Sequence, residues 1–593
     1  MRGFVPAVVP CTLALIAVLM SAGMAATTPT ASADIAKAQA LVAQGKFAAA
    51  VPALELVLKA HPRNGRAWLL LASAQGQLHH VVEAETAYRH GLSIDAVVRP
   101  ATEGMFLLLA GSDRADAAWP WFVKMRDARM GDLTELALHP EIAGLHDDPR
   151  FATLFADKIA YEPAFVEKVR VIHEWRGEHA GDEFGWIARA VGDVDHDGVS
   201  DVVVSAPAHP PQGHGPGSIY LYSGKSGKLL WKHRGSGVDL LGNGVEAAGD
   251  VDRDGVPDVI AGAPGAGKAY VLSGKDGSVL RTLSGHPGDK GFGTAVAGIG
   301  DLDGDGYPEL AVGAPASANG QPGDNAYRGY AYIYSGKDGK LLRRLTGETV
   351  GARLGSALGG GSGFLIVGAG GGGPDHHGRV YVYDKLQGPP RFVKDADATG
   401  GALGAMFVSV AGDINRDGIA DIYAADWANA AKGPSAGRVY VYSGADGSTL
   451  LTLDGSGPGE GFGTCAAKTG DVNGDGIADL VVGSWQYPGD AWSGGRVAVY
   501  SGSNGAVLQS FTGKVPGDTL GFDAVGIGDV DGDGKTDYLI TSAWSMVNGI
   551  RSGRAYIVAG QTGAGSLSEG ASRPPRVSVK AGQQRLEAGL VAQ

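Results

Sequence analysis

Apolar and polar positions follow a strand-like pattern over residues 166–570. Continuous apolar runs such as Val259-Ile260-Ala261 precede strictly alternating runs such as Val439-Tyr440-Val441-Tyr442 in successive units of the chain. Each unit holds four such runs, and turns of the form Ser-Gly-x-x-Gly join the last two. Short runs with period-two alternation between glycine turns predict β-strands. The pattern therefore predicts an all-β region of many short strands.

An acidic segment recurs between the first and second run of these units, with the form Asp-x-Asp/Asn-x-Asp-Gly-x-x-Asp/Glu. It begins at Asp193, Asp250, Asp301, Asp413, Asp471 and Asp529, at steps of 57, 51, 112, 58 and 58 residues. The step of 112 is twice 56, so one unit lacks the segment and has Gly359-Gly360-Gly361-Ser362-Gly363 in its place. A fixed period of this length indicates a repeat architecture, here of seven units.

Seven units of four strands predict a seven-bladed β-propeller, because a solenoid would require shorter repeats. Phe-Gly pairs precede the first strands, as at Phe184-Gly185, and Gly262-Ala263-Pro264 lies at the end of a second strand. Phe522 is assigned as the residue that begins the seventh unit. These features resemble the FG-GAP repeats of the integrin α-chain head and its bacterial relatives, over roughly residues 180–560. The resemblance implies calcium in the hairpin loops between first and second strands.

The donor atoms of the acidic segments also indicate a hard cation. Carboxylates at positions 1, 3 and 5 repel each other in a tight loop unless a cation lies between them. Glycine at position 6 permits the turn, position 7 offers a carbonyl, and the acid at position 9 completes a shell of oxygen ligands that suits calcium. Position 12 lies within a strand, which excludes an EF-hand. About six Ca²⁺ sites are predicted, with these ligands: Asp193, Asp195, Asp197 and Asp201; Asp250, Asp252, Asp254 and Asp258; Asp301, Asp303, Asp305 and Glu309; Asp413, Asn415, Asp417 and Asp421; Asp471, Asn473, Asp475 and Asp479; Asp529, Asp531, Asp533 and Asp537.

Residues 31–155 are predicted to form a small all-α domain. One copy of a helical repeat contains Gly45, Phe47, Ala50, Leu54 and Pro62, and a second, displaced by 34 residues, contains Trp68, Leu71, Ala72, Ala84 and Tyr88. The spacing resembles the tetratricopeptide family. A third helical pair is predicted from Glu103 to Met130, and a short closing helix at Asp148-Pro149-Arg150-Phe151. This domain is interpreted either as a docking site for a peptide partner or as a spacer against the propeller.

The first 26 residues have the features of a secretory signal peptide. Arg2 precedes an apolar stretch, and Gly23-Met24-Ala25-Ala26 provides small residues for cleavage. No later apolar stretch is long enough to span a bilayer. Cleavage would remove Cys11 and leave Cys465 alone, so no internal disulfide could form. Bound metal is therefore expected to stabilise the exported chain in place of a disulfide. The chain is predicted to be exported, to the periplasm, the cell surface or the medium, and the formal charge of −13 argues against a nucleic-acid partner.

Closure of the propeller has two candidate strands. Residues 168–177 match the fourth strands of other units, and the seventh unit lacks a convincing fourth strand of its own. The preferred prediction is therefore that residues 168–177 complete the last blade and remove an exposed sheet edge. The alternative is Arg576-Val577-Ser578-Val579, within a C-terminal tail predicted over residues 571–593.

No catalytic constellation is recognised in the sequence. His173-Glu174 is not followed by a histidine at zincin spacing, and Cys465 is expected to be a core residue. The loops after the second strands offer a candidate ligand face instead, with Trp427, Trp485, Trp492 and Trp544. Aromatic side chains there could bind a protein or glycan ligand. The predicted function is a non-catalytic, calcium-stabilised adhesion or binding module; the alternative is a secreted carbohydrate-active or ester-cleaving hydrolase or lyase that uses the same face.

Overall fold

The computed structural model describes residues 35–561 except 36, 43, 95–97, 128–135, 137–138, 156–161, 209–214, 290, 316–327, 466, 488 and 490. The predicted signal peptide (1–26), the tail (571–593) and the alternative closing strand Arg576–Val579 lie outside the described residues. Within the described part of the chain, no helix combines the length and the apolar character needed to cross a membrane.

The N-terminal part is helical, as predicted. Its elements are α1 (Phe47–Ala60), α2 (Gly65–Gln77), α3 (Val81–Leu92), α4 (Val98–Ala110), α5 (Ala115–Asp127), two 3-10 turns (Pro140–Leu145 and Pro149–Phe151) and α6 (Ala152–Phe155). Asn64 caps α2 by accepting a hydrogen bond from the Ala67 amide at 3.1 Å. A Cβ atom on Gly104 would lie 2.3 Å from the Tyr88 ring, so glycine is what lets α4 approach α3. The predicted closing turn is present, and Phe151 is fully buried against Phe106.

Seven four-stranded antiparallel sheets follow, which confirms the predicted seven-bladed propeller. Blade 1 contains β2 (Ala188–Gly192), β3 (Asp201–Ala206), β4 (Ser218–Tyr222) and β5 (Leu229–Arg234); blade 2 contains β6 (Val245–Gly249), β7 (Asp258–Ala263), β8 (Lys268–Leu272) and β9 (Val279–Ser284); blade 3 contains β10 (Val296–Gly300), β11 (Glu309–Ala314), β12 (Tyr330–Ser335) and β13 (Leu341–Thr346). Blade 4 contains β14 (Leu354–Gly361), β15 (Phe364–Ala369), β16 (Arg379–Tyr383) and β17 (Phe392–Asp395); blade 5 contains β18 (Val408–Gly412), β19 (Asp421–Asp426), β20 (Arg438–Tyr442) and β21 (Thr449–Asp454). Blade 6 contains β22 (Ala467–Gly470), β23 (Asp479–Ser484), β24 (Arg496–Tyr500) and β25 (Val507–Thr512); blade 7 contains β26 (Ala524–Gly528), β27 (Asp537–Ser542), β28 (Arg554–Val558) and β1 (Val171–Arg176).

The core lies between neighbouring blades. Each second strand is buried along its whole length, which explains its continuous apolar sequence. Val202 and Val204 of blade 1, for example, belong to the same cluster as Leu539 of blade 7. Side chains of the fourth strands also donate to the turn between the third and fourth strands of the next blade, as in Trp175 Nε1 to the Gly227 carbonyl at 2.9 Å. Adjacent blades are thus joined by apolar contacts inside and by hydrogen bonds at the rim.

Blade 7 closes the ring with strand β1. This strand pairs antiparallel with β28 from Val171↔Val558 to Arg176↔Arg554, so the preferred closing strand is confirmed. The Arg554 side chain is 1% exposed. Its guanidinium contacts Asp518 at 2.7 Å, Glu162 at 2.9 Å and Glu174 at 3.6 Å. We call Arg554, Asp518, Glu162 and Glu174 the closing network, because it joins blade 7 to the segment that enters the ring.

The segment before β1 lies along the outer edge of blade 6. The Val166 amide donates to the Thr512 carbonyl at 2.9 Å, and the Lys514 amide donates to the Ala164 carbonyl at 2.8 Å. Residues 164–166 therefore contact the propeller directly, by backbone hydrogen bonds to blade 6. Trp492, in the loop after β23, packs against the helical core. The helical region thus contacts blade 6.

Candidate metal centres and loop face

The six acidic segments form the hairpin loops between first and second strands, at one end of the propeller. We call them acidic loops and number their positions 1 to 9. Positive φ angles occur at position 6 in every loop, for example 87° at Gly198, and at position 4, for example 60° at His196. A left-handed conformation at position 6 favours glycine, which explains its recurrence there. The loops therefore share one backbone conformation.

The position 1 carboxylate organises each loop by accepting backbone N–H groups. In blade 1, Asp193 accepts from the Asp197 amide at 2.9 Å and from the Gly198 amide at 3.0 Å. The same pair of bonds is made by Asp413 to Asp417 and Gly418, at 3.1 and 2.9 Å. These bonds hold the acidic side chains on one side of the turn. The position 3 side chain adds to this, since Asp195 also accepts the Asp197 amide at 3.2 Å.

Carboxylate oxygens converge in four of the loops. Oxygen atoms lie within 4.8 Å of one another in the groups Asp193/Asp195/Asp197, Asp250/Asp252/Asp254, Asp301/Asp303/Asp305/Glu309 and Asp529/Asp531/Asp537. The loops of blades 5 and 6 have asparagine at position 3, Asn415 and Asn473, so an amide oxygen replaces one carboxylate. A set of oxygen donors alone suits a hard divalent cation. The residues present therefore fit the predicted ion.

The position 9 acid has a second structural role that the sequence did not reveal. Asp201 is fully buried, and it accepts the Val194 amide at 2.7 Å and the Gly224 amide, from the turn between β4 and β5, at 2.9 Å. The acid thus joins its loop to the neighbouring turn of the same blade. Burial raises the pKa of the corresponding Asp258 to about 6, against the opposing effect of its backbone hydrogen bonds. Its role as a cation ligand stays a prediction.

Blade 7 brings a side-chain cation to its acidic loop. Arg170, immediately before β1, forms an ion pair with Asp531, and its guanidinium lies 3.7 Å from Asp533. The segment that closes the ring therefore also contacts the acidic loop of the blade it completes.

An aromatic cluster lies at the opposite end of the propeller. The Trp485 and Trp544 ring centroids are 4.7 Å apart at an interplanar angle of 78°. Phe522 contacts both rings, and Trp186 packs on Phe522 at 4.7 Å. The Arg551 guanidinium lies 4.1 Å from the Trp544 ring centroid. We call Trp186, Trp485, Phe522 and Trp544 the aromatic cluster.

The cluster contains two of the four predicted tryptophans. Trp485 and Trp544 are brought together, whereas Trp492 packs against the helical domain. Within the described residues, Trp427 on blade 5 makes no ring contact to the cluster. Assignment of Phe522 to the opening of unit seven was wrong. Leu520 makes the parallel bridge to Gly495 that Phe462 makes to Gly437, so Leu520 is the equivalent residue. Phe522 lies two residues later and is therefore free to join the cluster.

The cluster borders a central cavity of about 600 Å³ that is lined by the first strands. Trp186 and Phe522 contribute to its wall, together with Phe407 and the ion pair of Arg189 with Glu246 at 2.9 Å. Arg189 also pairs with buried Asp523. The lining also contains Asn243, Thr294 and Ser409, and a concave cavity that combines apolar walls with polar groups is typical of ligand sites.

Cys465 does not have the properties of a catalytic nucleophile. The residue is fully buried, and burial raises the pKa of its thiol well above the ordinary value. A reactive cysteine needs access and a lowered pKa. Its placement in the core agrees with the expectation from the sequence.

Comparison with protein families supports the repeat assignment. The FG-GAP repeat family matches residues 184–222 and 292–334, and an FG-GAP-like repeat family matches residues 250–312 and 471–540. A tetratricopeptide repeat family matches residues 41–97. Both repeat types predicted from the sequence are thus present.

Curated relatives are similar over part of the propeller. Integrin alpha-6 of Gallus gallus is 35% identical over 156 residues, which cover 24% of this chain and 14% of the relative. Integrin alpha-PS5 of Drosophila melanogaster is 32% identical over 169 residues, covering 26% and 17%. Integrin alpha-7 of Homo sapiens is 34% identical over 152 residues, covering 24% and 13%. The chain therefore spans less than a fifth of the length of these relatives.

Proposed function

We propose that this chain, whose propeller consists of FG-GAP repeats, is an exported, calcium-stabilised adhesion-type protein that binds a protein or glycan ligand. The observation that carries the proposal is the recurrence of one oxygen cluster at the same hairpin of successive blades. Similarity to integrin alpha chains supports the binding role. Export is supported by the signal-like residues 1–26.

Side-chain oxygens at positions 1, 3 and 5 and the backbone carbonyl at position 7 would hold the calcium ion. The acid at position 9 would complete the ligand shell from the buried side of the loop. A bound ion neutralises carboxylates that otherwise repel each other across a few ångströms. Extracellular calcium modules bind at about 10⁻⁴ to 10⁻³ M, a concentration met outside cells. An ion that binds only the folded chain stabilises the chain by mass action.

Ligand binding is assigned to the end of the propeller that carries the aromatic cluster. Trp485 and Trp544 are only partly buried, and their indole N–H groups make no hydrogen bond in the described part of the chain. Tryptophan combines apolar area with a donor, which suits it to protein interfaces and to sugar rings. The acidic loops lie at the other end, so their proposed role is to stiffen the ring that presents this surface.

The helical domain is proposed to bind a second, peptide partner. Trp492 and the segment before β1 hold this domain against blade 6. A domain that serves only as a spacer would make the same contacts with blade 6. A pull-down with residues 31–155 deleted therefore distinguishes a docking domain from a spacer. Loss of one captured partner, with retention of the other, supports the docking role.

A binding assay with matched tryptophan variants tests the ligand face. The purified full chain is applied to a glycan array and to cell-envelope proteins, in calcium and in EGTA. We expect Trp544→Phe and Trp485→Phe to weaken binding about tenfold, whereas Trp427→Phe, outside the cluster, leaves binding unchanged. Equal loss in all three variants, or none, would contradict the assignment. Turnover of polysaccharide or ester substrates on the same samples would favour the hydrolase alternative.

A further inference from the structure

The acidic loop of blade 3 differs from the other five at position 9, where glutamate replaces aspartate. In the five aspartate loops, one carboxylate oxygen accepts the glycine amide of the turn between the third and fourth strands. The five pairs are Gly224 to Asp201 at 2.9 Å, Gly274 to Asp258 at 3.0 Å, Gly444 to Asp421 at 3.0 Å, Gly502 to Asp479 at 3.0 Å and Gly560 to Asp537 at 2.9 Å. This oxygen is therefore already engaged in each of them.

Glu309 does not make this bond. The equivalent amide, that of Gly336, donates to the Pro308 carbonyl at 3.1 Å instead. Oε2 of Glu309 accepts the Leu302 amide at 2.6 Å and the Asp303 amide at 3.3 Å, while Oε1 is buried and has no hydrogen-bond donor among the residues that the structure describes. The whole side chain is 0% exposed. The extra methylene of glutamate thus leaves one buried carboxylate oxygen without a partner.

The same glutamate enlarges the oxygen cluster. Blade 3 is the loop in which four carboxylates converge within 4.8 Å, whereas the other three groups in the described part of the chain have three. A buried carboxylate oxygen without a donor is costly, and a cation ligand would remove that cost. Affinity for calcium also increases with the number of charged ligands. Both effects act in the same direction.

We propose that the blade 3 loop is the tightest cation site of the propeller, and that Glu309 coordinates the ion directly. The inference rests on the proposed cation-binding function. It makes the loops unequal: blade 3 fills first, and it stays occupied at concentrations that empty the aspartate loops. Its affinity exceeds theirs by about tenfold.

Blade 3 carries its own spectroscopic reporter. Tyr307 stands at position 7, where the other loops have Val199, Val256, Ile419, Ile477 and Lys535. Terbium(III) is a hard, oxygen-seeking ion whose emission is sensitised by a nearby tyrosine. The Arg253 guanidinium lies 3.7 Å from the Tyr307 ring centroid, and phenylalanine at 307 would keep that contact. The emission lost in Tyr307→Phe therefore reports blade 3.

The test is a terbium titration of the full chain, with bound metal counted by equilibrium dialysis. We expect Tyr307-dependent emission to saturate within the first equivalent bound, and Glu309→Asp to shift its midpoint about tenfold higher. Asp479→Glu, the reciprocal change in blade 6, leaves that midpoint in place. Emission that rises only with the last equivalents, or an unshifted midpoint in Glu309→Asp, overturns the inference.

Two further results separate this inference from the function on which it rests. If neither terbium nor calcium binds the folded chain, the proposed calcium function itself fails. If Glu309→Asp does not fold, Glu309→Gln keeps the side-chain length and removes the charge, and the same shift to higher terbium concentration is expected. An unchanged midpoint in Glu309→Gln contradicts direct coordination by Glu309.

Discussion

Blades 4 and 7 are both four-stranded sheets, but they are built from different segments of the chain. Blade 4 is contiguous in sequence, and its first strand runs directly into a short turn, with Gly361 paired to Phe364. Blade 7 takes its fourth strand from residues 171–176 and carries an acidic loop. Arg554 and Arg170 add ion pairs that join it to the entering segment. Both blades contain ion pairs, such as Arg379 with Asp395 in blade 4, but those of buried Arg554 lie where the ring is closed.

The comparison shows that the blade fold does not require an acidic loop. A glycine turn suffices in blade 4, because the sheet is specified by alternation and by packing between neighbours. The acidic loops are therefore an addition to the fold, and their carboxylates need a separate explanation. A cation-dependent contribution to stability is the explanation that we propose.

The largest expected effect is at the closing network. Arg554→Met removes the cation between Asp518 and Glu174 and leaves Asp518 buried without its partner. Breaking a buried ion pair in this way costs about 3–5 kcal/mol. Urea unfolding followed by tryptophan fluorescence should show this loss. A change below about 1 kcal/mol would mean that strand pairing alone closes the ring.

A smaller effect is expected at position 9 of the blade 7 loop. Asp537→Ala leaves the buried Val530 and Gly560 amides without an acceptor, at a cost of about 3 kcal/mol in EGTA. Asp533→Ala, at exposed position 5, is the matched control. In EGTA it should change the free energy of unfolding by less than about 1 kcal/mol. Equal losses for both variants in EGTA would contradict the structural role of position 9.

The smallest effect is expected in blade 4. A Cβ atom on Gly360 would lie 2.4 Å from Ile299 Cγ2, so Gly360→Ala forces a shift against blade 3. Overpacking of this kind costs about 1–3 kcal/mol. The loss should be independent of calcium, since no acidic loop is present. Ser362→Gly, in the exposed turn, is the control and should remain within about 0.5 kcal/mol of the native chain.

Much of the fold could be predicted from the sequence, because the repeat period, the alternation of apolar residues and the glycine turns all indicated the same architecture. The period of the acidic segments predicted the number of blades. The strand-like segment that precedes the first unit, residues 168–177, predicted the closing strand. The equivalence of Leu520 rather than Phe522 was missed, because an aromatic residue followed the true Leu-Gly pair. The bond from the Gly224 amide to Asp201 was also missed, since it joins residues 23 apart through tertiary contact.

The candidate ligand face was less accessible from sequence. Trp427 and Trp485 share a position in their repeats, Trp544 lies one residue later, and Trp492 lies further along the blade 6 loop, but only three-dimensional packing shows which of them meet. Trp492 contacts a different domain, and Trp186 joins the cluster from the turn before β2. Contacts between blades that are neighbours in the ring but far apart in sequence leave no local pattern in the chain.

The most direct test of the account is calorimetric unfolding of the purified exported chain in calcium and in EGTA. At about 1 mM calcium, a site with a dissociation constant of about 10⁻⁴ to 10⁻³ M should add about 0.4–1.4 kcal/mol. We therefore expect the propeller transition to rise by several degrees, up to about 10 °C, on adding calcium, and to fall back on chelation. A propeller transition at the same temperature in calcium and in EGTA would contradict the claim that cations in the acidic loops stabilise the ring.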